Sequence, residues 1–185
     1  AASWSSGGNM NTTRSQLAGA GIQTAAVGFG GATPSATSAT ELYNGTSWTN
    51  NPTGLATARR TLAGCGTQTS ALAFGGLTAN DETSTEEFTG TTWTSGGSLV
   101  TARRNLSGCG LQTAALAFGG SGAPPPGVGT TAQSATEKYN GTAWTSTGSL
   151  NTARYGLGGF GIDTAALAFG GNINPGLSTA TESFN

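Results

Sequence analysis

Residues 53–76 read TGLATARRTLAGCGTQTSALAFGG, and residues 97–120 read GSLVTARRNLSGCGLQTAALAFGG. The two stretches align without a gap, and 17 of the 24 positions are identical. Each stretch starts close to a basic pair, passes through a Gly-Cys-Gly step and ends on Phe-Gly-Gly. A tandem repeat therefore organises this chain, and the period of such a repeat predicts the fold.

The repeat unit occurs four times, and the same landmarks mark every copy. An Arg followed three residues later by Leu occurs at Arg14, Arg59, Arg103 and Arg154. A Phe-Gly-Gly sequence ends at Gly31, Gly76, Gly120 and Gly171. A Glu with an aromatic residue two positions later occurs at Glu41, Glu86, Glu137 and Glu182. A Trp occurs at Trp4, Trp48, Trp93 and Trp144.

The spacing of about 44 to 51 residues between copies is typical of repeats that each build one four-stranded propeller blade. We therefore predict an all-β fold, a β-propeller with four blades of four antiparallel strands, labelled a to d. In the third unit the expected strands are a over residues 103–110, b over 113–118, c over 136–139 and d around Trp144. Asn-Gly pairs at 44–45 and 140–141 favour a tight hairpin between strands c and d. The chain is then one domain over residues 1–185, with repeat units of about 5–48, 49–93, 94–144, and 145–185 plus 1–4.

The two ends of the sequence supply two halves of one blade. Residues 181–185 have the pattern of strand c, and residues 1–4 have the pattern of strand d. Written in sequence, Asn185 and residues 1–4 superimpose on residues 44–48 with nothing missing. We expect the N-terminal strand d to pair with the C-terminal strand c and to close the ring, which removes exposed sheet edges. Two alternatives stay open: an eight-bladed ring shared by two chains, and a piece cut from a longer array.

Composition excludes several classes of function. Seven basic and eight acidic residues give a net charge of -1, so the sequence predicts no nucleic-acid partner. The apolar runs are far shorter than the roughly 18 residues of a membrane helix, so we expect no membrane insertion. The chain has no His, which removes the commonest general base and the commonest metal ligand. We therefore predict no catalytic residues, no metal site and no cofactor.

The landmarks resemble those of the kelch repeat: a Gly-Gly pair ends the second strand, an aromatic residue lies on the third, a Trp on the fourth and an Arg before the first. The resemblance covers essentially the whole chain, although Phe replaces the Tyr of the pattern at Phe88 and Phe184. The composition and the near-identity of the units are similar to Gly- and Thr-rich kelch-like arrays of phage tail or virion surface proteins. These resemblances imply a propeller and favour a virion or extracellular surface.

The repeated side chains have a structural interpretation. Eight of the fifteen charged residues are the repeated Arg and Glu, and we expect each Arg to pair with a Glu of its own or the next blade rather than to bind an anionic ligand. The four Trp are interpreted as packing between blades rather than as platforms for sugars. Cys65 and Cys109 share one repeat position, which Ala20 and Phe160 fill in the other copies, so we expect free, buried thiols.

The connections between strands b and c are the most variable part of the unit. They cover residues 32–40, 77–85, 121–136 and 172–181, and variable loops on a rigid scaffold usually carry recognition. Three consecutive prolines favour a stiff, extended segment in the third loop. The candidate binding residues on this face are Asp81, Glu82, Pro124, Pro125, Pro126, Asn172 and Asn174.

The sequence thus predicts a non-catalytic binding or display module, with a glycan or a protein as its partner. One alternative is a glycan-processing enzyme that uses two of the carboxylates of Asp81, Glu86 and Glu87, because such enzymes place a carboxylate pair on either side of the scissile bond. The other alternative is a purely structural spacer that has no ligand.

Overall fold

The computed structural model of the chain describes residues 2–122 and 130–185, and within them the protein is all-β. In chain order the strands are β1 (Ala18–Ile22), β2 (Ala25–Phe29), β3 (Thr40–Tyr43), β4 (Trp48–Asn50), β5 (Ala63–Gly66), β6 (Ala71–Phe74), β7 (Thr85–Phe88), β8 (Trp93–Ser95), β9 (Ser107–Leu111), β10 (Ala114–Phe118), β11 (Ser121–Gly122), β12 (Thr131–Ala132), β13 (Thr136–Tyr139), β14 (Trp144–Thr147), β15 (Gly158–Ile162), β16 (Ala165–Phe169) and β17 (Thr181–Phe184). Across the described ranges there is no helix of the length and hydropathy that a membrane crossing requires.

Each repeat folds into one antiparallel sheet, and the four sheets form a four-bladed β-propeller arrangement, as predicted. Blade 1 contains β1 to β4 and blade 2 contains β5 to β8, each in sequential order from the innermost strand a to the outermost strand d. Blade 3 contains β9, β10, β13 and β14, and its b–c loop carries the small β11–β12 hairpin. Blade 4 contains β15, β16 and β17.

Strand a starts later than the sequence indicated. In blade 3 it begins at Ser107, four residues after Arg103, because Asn105 adopts a left-handed φ of 52° that interrupts the extended chain. The equivalent residues Gln16 and Thr61 have φ values of 57° and 53°. Each repeated Arg therefore lies in the connection from strand d to strand a, outside the sheet.

Neighbouring blades pack through an aromatic ring of one blade that lies directly against a glycine of the next. The ring of Phe29 in blade 1 is fully buried, and a Cβ placed on Gly64 of blade 2 would lie only 2.4 Å from its Cζ atom. No side chain fits in this space, so the Gly-rich step of strand a is a requirement of blade packing. The same 2.4 Å spacing occurs between Phe74 and Gly108 and between Phe118 and Gly159.

Backbone hydrogen bonds also connect the blades. At the entrances of the inner strands, the N–H of Thr61 donates to Gln16 O at 2.9 Å and the N–H of Asn105 donates to Thr61 O at 2.9 Å. The N–H of Gly156 continues the series to Asn105 O at 2.8 Å. These contacts involve no side-chain atoms, so the residue types can differ between blades as long as they adopt the left-handed φ of 52° to 60°.

The predicted pairing of the N-terminal strand d with the C-terminal strand c is not formed. Residues 2–10 contain no strand, Trp4 is fully exposed, and β17 pairs with β16 alone in the described residues. The innermost strands pack in the order β1, β5, β9, β15, and no comparable packing joins β15 to β1. Gly8 fits against the backbone of Thr46, so the residues before it stay with blade 1, and because blade 1 does not pack on blade 4 among the described residues they lie away from β17.

Candidate functional site

The repeated Arg residues hold the two ends of the b–c loop of their own blade. In blade 3, Arg103 Nη1 donates to the carbonyl oxygens of Gly119 at 2.9 Å and Ala135 at 2.5 Å, and Nη2 donates to Glu137 Oε1 at 2.9 Å. We call this set of contacts the Arg clamp. The same three contacts are made by Arg14, Arg59 and Arg154.

The Arg clamps engage nearly all of the charged groups that the four repeats share. The four Arg side chains are 0% exposed, and their Glu partners lie in the same blade at 2.8 to 3.1 Å. Burial lowers the pKa of Arg103, and the attraction of Glu137 opposes this effect. The second oxygen of Glu137 accepts the N–H of Val100 at 2.6 Å. The expected Arg–Glu pairs are thus formed within blades, and their charged groups are not available to a ligand.

The sequence predicts that all four Trp side chains pack between blades; Trp93 and Trp144 do so, whereas Trp48 and the exposed Trp4 do not. Trp93 of blade 2 packs against Phe29 of blade 1 at 4.9 Å between ring centroids, and its Nε1 donates to Thr40 Oγ1 at 2.9 Å. Trp144 of blade 3 makes the equivalent contacts to Phe74 and Thr85 of blade 2. Trp48 packs against Tyr43 of its own blade.

Both cysteines are free and buried, as predicted. Burial, with a smaller contribution from Cys109, raises the pKa of the Cys65 thiol to about 12. Burial, with a smaller contribution from the charge of Asp163, raises the pKa of the Cys109 thiol to about 11. Thiols with such pKa values are protonated and unreactive at neutral pH, which fits a packing role.

The b–c loops and the d–a connections share one side of the propeller, which we call the loop face. Isolated β-bridges join the two kinds of segment in every blade: Ser15 with Ala32, Arg60 with Leu77, Arg104 with Ser121 and Tyr155 with Asn172. The loop face therefore includes residues on both sides of each bridge, and it contains the predicted binding residues that the structure describes.

Asp81 and Asn174, both predicted as binding residues, belong to one chain of polar contacts across the loop face. Asp81 Oδ1 accepts a hydrogen bond from Arg104 Nη1 at 2.5 Å, and Arg104 Nη2 donates to Thr130 Oγ1 at 3.5 Å. The carbonyl oxygen of Thr130 accepts a hydrogen bond from Asn174 Nδ2. The contacts link the loops of blades 2, 3 and 4. Asp81 Oδ2 is buried without a hydrogen-bond partner in the described part of the chain.

Two other predicted residues support their own loops. Glu82 accepts hydrogen bonds from Thr78 Oγ1 at 2.6 Å and Ser84 Oγ at 2.9 Å. Asn172 pairs with Tyr155 through backbone hydrogen bonds, and its side-chain amide donates to Tyr155 O at 3.5 Å. The three prolines, Pro124, Pro125 and Pro126, lie outside the described residues.

The sequence-based choice of residues missed the position that follows each repeated Arg. This position holds Ser15, Arg60, Arg104 and Tyr155. Arg60 is half-buried, and its guanidinium forms no ion pair within the described residues. Variation between otherwise matching copies was the signal that singled out the b–c loops, and the same signal marks this position.

The carboxylates of the enzyme alternative are engaged in other contacts. Glu86 belongs to the clamp of Arg59, and Glu87 Oε1 accepts the hydroxyl of Tyr139 at 2.5 Å. Burial and the hydrogen bond to Glu87 raise the pKa of Tyr139 to about 12. Asp81 is paired with Arg104. Among the described residues, no three His, Cys, Asp or Glu side chains form a group that could hold a metal ion.

Within the described residues, the loop face offers a ligand the guanidinium of Arg60, which has no ion pair there, and amide and hydroxyl groups on adjacent blades. Such groups suit a ligand rich in hydroxyl or carboxylate oxygens. No protein-family model matches the chain, and the curated proteins contain no match to it.

Proposed function

We propose that the chain is a non-catalytic binding module of the kelch type, and that its loop face holds a glycan. The observation that carries the proposal is the series of polar contacts from Asp81 through Arg104 and Thr130 to Asn174. It crosses three blades, whereas the clamps use up the charges that every repeat shares. The polar groups that differ between repeats are thus the ones left at this surface.

The chemistry of the loop face favours a glycan over a protein. Protein interfaces usually have a buried apolar centre rich in aromatic residues. Near this series of polar contacts, the variable positions that follow the repeated Arg residues hold Arg60, Arg104 and Tyr155, which have hydrogen-bonding side chains. Guanidinium groups bind carboxylates in a fixed, two-point geometry, so uronic acids and other acidic sugars are the best-fitting members of the class.

The proposal also covers the kind of particle to which the module belongs. The Gly-, Thr- and Ala-rich composition and the near-identical repeats support a place in a phage tail or on a virion surface, where the ligand would be a polysaccharide of the host cell. Engaged carboxylates at Asp81, Glu86 and Glu87 support binding without hydrolysis.

An array of bacterial surface polysaccharides tests the proposal, with neutral, uronic-acid and sulfated polymers printed side by side. We expect the chain to bind acidic polymers, and we expect Arg60→Ala to weaken this binding by at least 10-fold. Arg60→Ala leaves the clamp of Arg59 intact, so its melting temperature serves as a check on folding.

Lys138→Gln is the matched control. It also removes one positive charge, but Lys138 lies on β13 and pairs with Asp163 at 2.8 Å in the a–b turn, on the opposite side of the propeller. Equal losses in both variants would show non-specific attraction between charges and would refute a site on the loop face. No binding to any polymer would favour the structural spacer, and release of sugar fragments from a bound polymer would favour the enzyme.

A further inference from the structure

A cavity between blades 3 and 4 has the lining of a site for a Trp side chain. In the two preceding junctions, a Trp from strand d lies between the strand-b Phe of the previous blade and the strand-c aromatic residue of its own blade. Trp93 lies 4.9 Å from Phe29 and 4.9 Å from Phe88 between ring centroids, and it donates to Thr40. The equivalent residues at the junction of blades 3 and 4 are Phe118, Phe184 and Thr136, and all three line the cavity.

Blade 4 has no strand d in the described residues, so this cavity, which we call the Trp slot, contains no Trp. The fourth Trp of the repeat is Trp4, whose side chain is fully exposed. Gly7 lies against Tyr43 of blade 1 in the way that Gly96 lies against Tyr139 of blade 3. Trp93 lies three residues before Gly96 and belongs to blade 2, one blade before Tyr139. Trp4 lies three residues before Gly7, so by the same relationship it occupies the position of a blade that would precede blade 1.

The outer surface of blade 4 is equally without a neighbour. Phe169 is 39% exposed, whereas Phe29, Phe74 and Phe118 are at most 3% exposed because the next blade covers them. Phe160 beside it is 61% exposed. The N–H of Gly171 has no acceptor in the described residues, although the equivalent N–H groups of Gly31, Gly76 and Gly120 donate to the carbonyl oxygen of the next blade's clamp Arg.

The exposed surface of blade 1 complements that of blade 4. Gln68 Nε2 and Gln112 Nε2 each donate to two carbonyl oxygens of the previous blade, and the equivalent Gln23 is exposed. Phe160 also enlarges the apolar surface of blade 4, since other blades have Ala or Cys at its position.

We propose that two copies of this chain associate head to tail, with blade 1 of each copy packed on blade 4 of the other. Trp4 of each copy enters the Trp slot of its partner, and residues 3–6 pair with β17 in the position of strand d. The contact repeats the interface already present between consecutive blades. A head-to-tail contact forms a ring when its rotation closes. Propellers typically have four to eight blades, and two copies of the 185 residues supply eight, which lies within this range.

The mass of the 185-residue chain in solution tests the association. Light scattering during size-exclusion chromatography should give twice 18.1 kDa. Phe169→Glu should give a single chain with an unchanged circular dichroism spectrum, because this side chain is part of the interface and is partly exposed in one copy. Trp4→Ala should weaken dimerisation by about 30-fold, the usual effect of removing a central aromatic anchor.

Leu111→Glu is the matched control for Phe169→Glu. Leu111 is 54% exposed and lies in blade 3, away from the proposed contact, so this variant should remain dimeric. A mass of one chain for the wild type at 100 µM would overturn the proposal, and so would a dimer that Phe169→Glu leaves intact. A monomer in which Trp4 is protected from acrylamide quenching would show that the ring closes within one chain, which also overturns it.

Cross-linking between two differently labelled copies identifies the partner strand. The register of β3 and β4 pairs Leu42 with Thr49, and the equivalent pair in the proposed dimer is Ser183 with Ser5. Chains carrying Ser5→Cys and Ser183→Cys should therefore form a mixed disulfide when they are combined. Replacing the second chain with Ser95→Cys, an exposed position on strand d of blade 2, should give no more than background. Equal yields for the two combinations would contradict the strand pairing.

Discussion

Arg103 Nη2 lies 2.9 Å from Glu137 Oε1, and the side chains of both residues are at most 1% exposed. Nη1 of the same Arg also donates hydrogen bonds to two backbone carbonyl groups, those of Gly119 and Ala135. The pair therefore connects the entrance of strand a, the start of strand c and both ends of one loop. Four copies of this arrangement hold the fold together from inside the blades.

Removal of one clamp should destabilise the whole fold. Arg103→Ala leaves the Glu137 carboxylate buried without its cation and removes the donor to Gly119 O, whereas Ala135 O keeps the N–H of Gly119. We expect the free energy of unfolding to fall by roughly 3 to 5 kcal/mol, the usual cost of breaking a buried ion pair. Urea denaturation followed by circular dichroism measures the change.

Lys138→Gln is the control, because its side chain is 39% exposed and its ion pair with Asp163 lies at the protein surface. We expect a loss of at most about 1 kcal/mol from this variant. If the two variants lost the same stability, the clamp would have no special role in the fold.

The close contact of Phe29 with Gly64 predicts a second large effect. An alanine Cβ at position 64 would lie 2.4 Å from the Phe29 ring, so Gly64→Ala must displace either the ring or strand β5. Overpacking of this kind costs about 1 to 3 kcal/mol. The melting temperature should fall accordingly in differential scanning calorimetry.

Gly148→Ala provides the comparison, since no atom lies within 4 Å of a Cβ at that position. Its stability should stay within about 0.5 kcal/mol of the wild type. A Gly64→Ala variant as stable as Gly148→Ala would show that the blades do not depend on this contact.

The Trp residues should differ in their contributions according to their partners. Trp144 is buried between blades 2 and 3 and donates to Thr85 Oγ1 at 2.9 Å, so Trp144→Ala should cost about 3 to 5 kcal/mol. Trp48 has an aromatic partner in its own blade only, and Trp48→Ala should cost clearly less. Urea titration of both variants decides the order, and a reversed order would refute the packing of Trp144 between blades.

Alkaline pH should destabilise the protein through its buried thiols. The pKa of Cys65 is higher in the folded chain, about 12, than in the unfolded chain. A raised pKa means that the protonated thiol stabilises the fold fully below the unfolded value and loses this effect as the pH rises through about 9 to 12. The loss is at most about 1.4 kcal/mol per pH unit for one thiol.

Cys65→Ala removes this dependence, although it lowers stability at pH 7 by leaving a small cavity. The free energy of unfolding should therefore fall less steeply between pH 9 and 11 in the variant than in the wild type. Parallel curves for the two proteins would mean that folding does not raise the pKa of Cys65.

The repeat pattern was sufficient to predict the blades, because each blade is a local unit of four strands with its own turns. The junction between residues 181–185 and residues 1–4 could not be predicted in the same way. Its sequence matches residues 44–48, but pairing also depends on how far each blade is rotated from the last, and that rotation comes from contacts such as Phe29 on Gly64.

Two parts of the loop face were also beyond the sequence pattern. The left-handed conformation of Asn105 has no clear signal when the equivalent residues are Gln16 and Thr61, and it determines where strand a begins. Arg104 follows Arg103 directly, so the two looked like one basic pair. Only the fold shows that one is buried in the clamp and that the other faces Asp81.

The Arg clamps bind main-chain carbonyl groups, so they place no demand on what lies between those groups. The clamp of Arg14 closes a segment from Gly30 to Ala39, and the clamp of Arg103 closes a longer one from Gly119 to Ala135. Foreign peptides inserted between two clamped carbonyls should thus leave the propeller intact. The scaffold is suited to laboratory evolution, in which four loops are randomised independently to select new specificities.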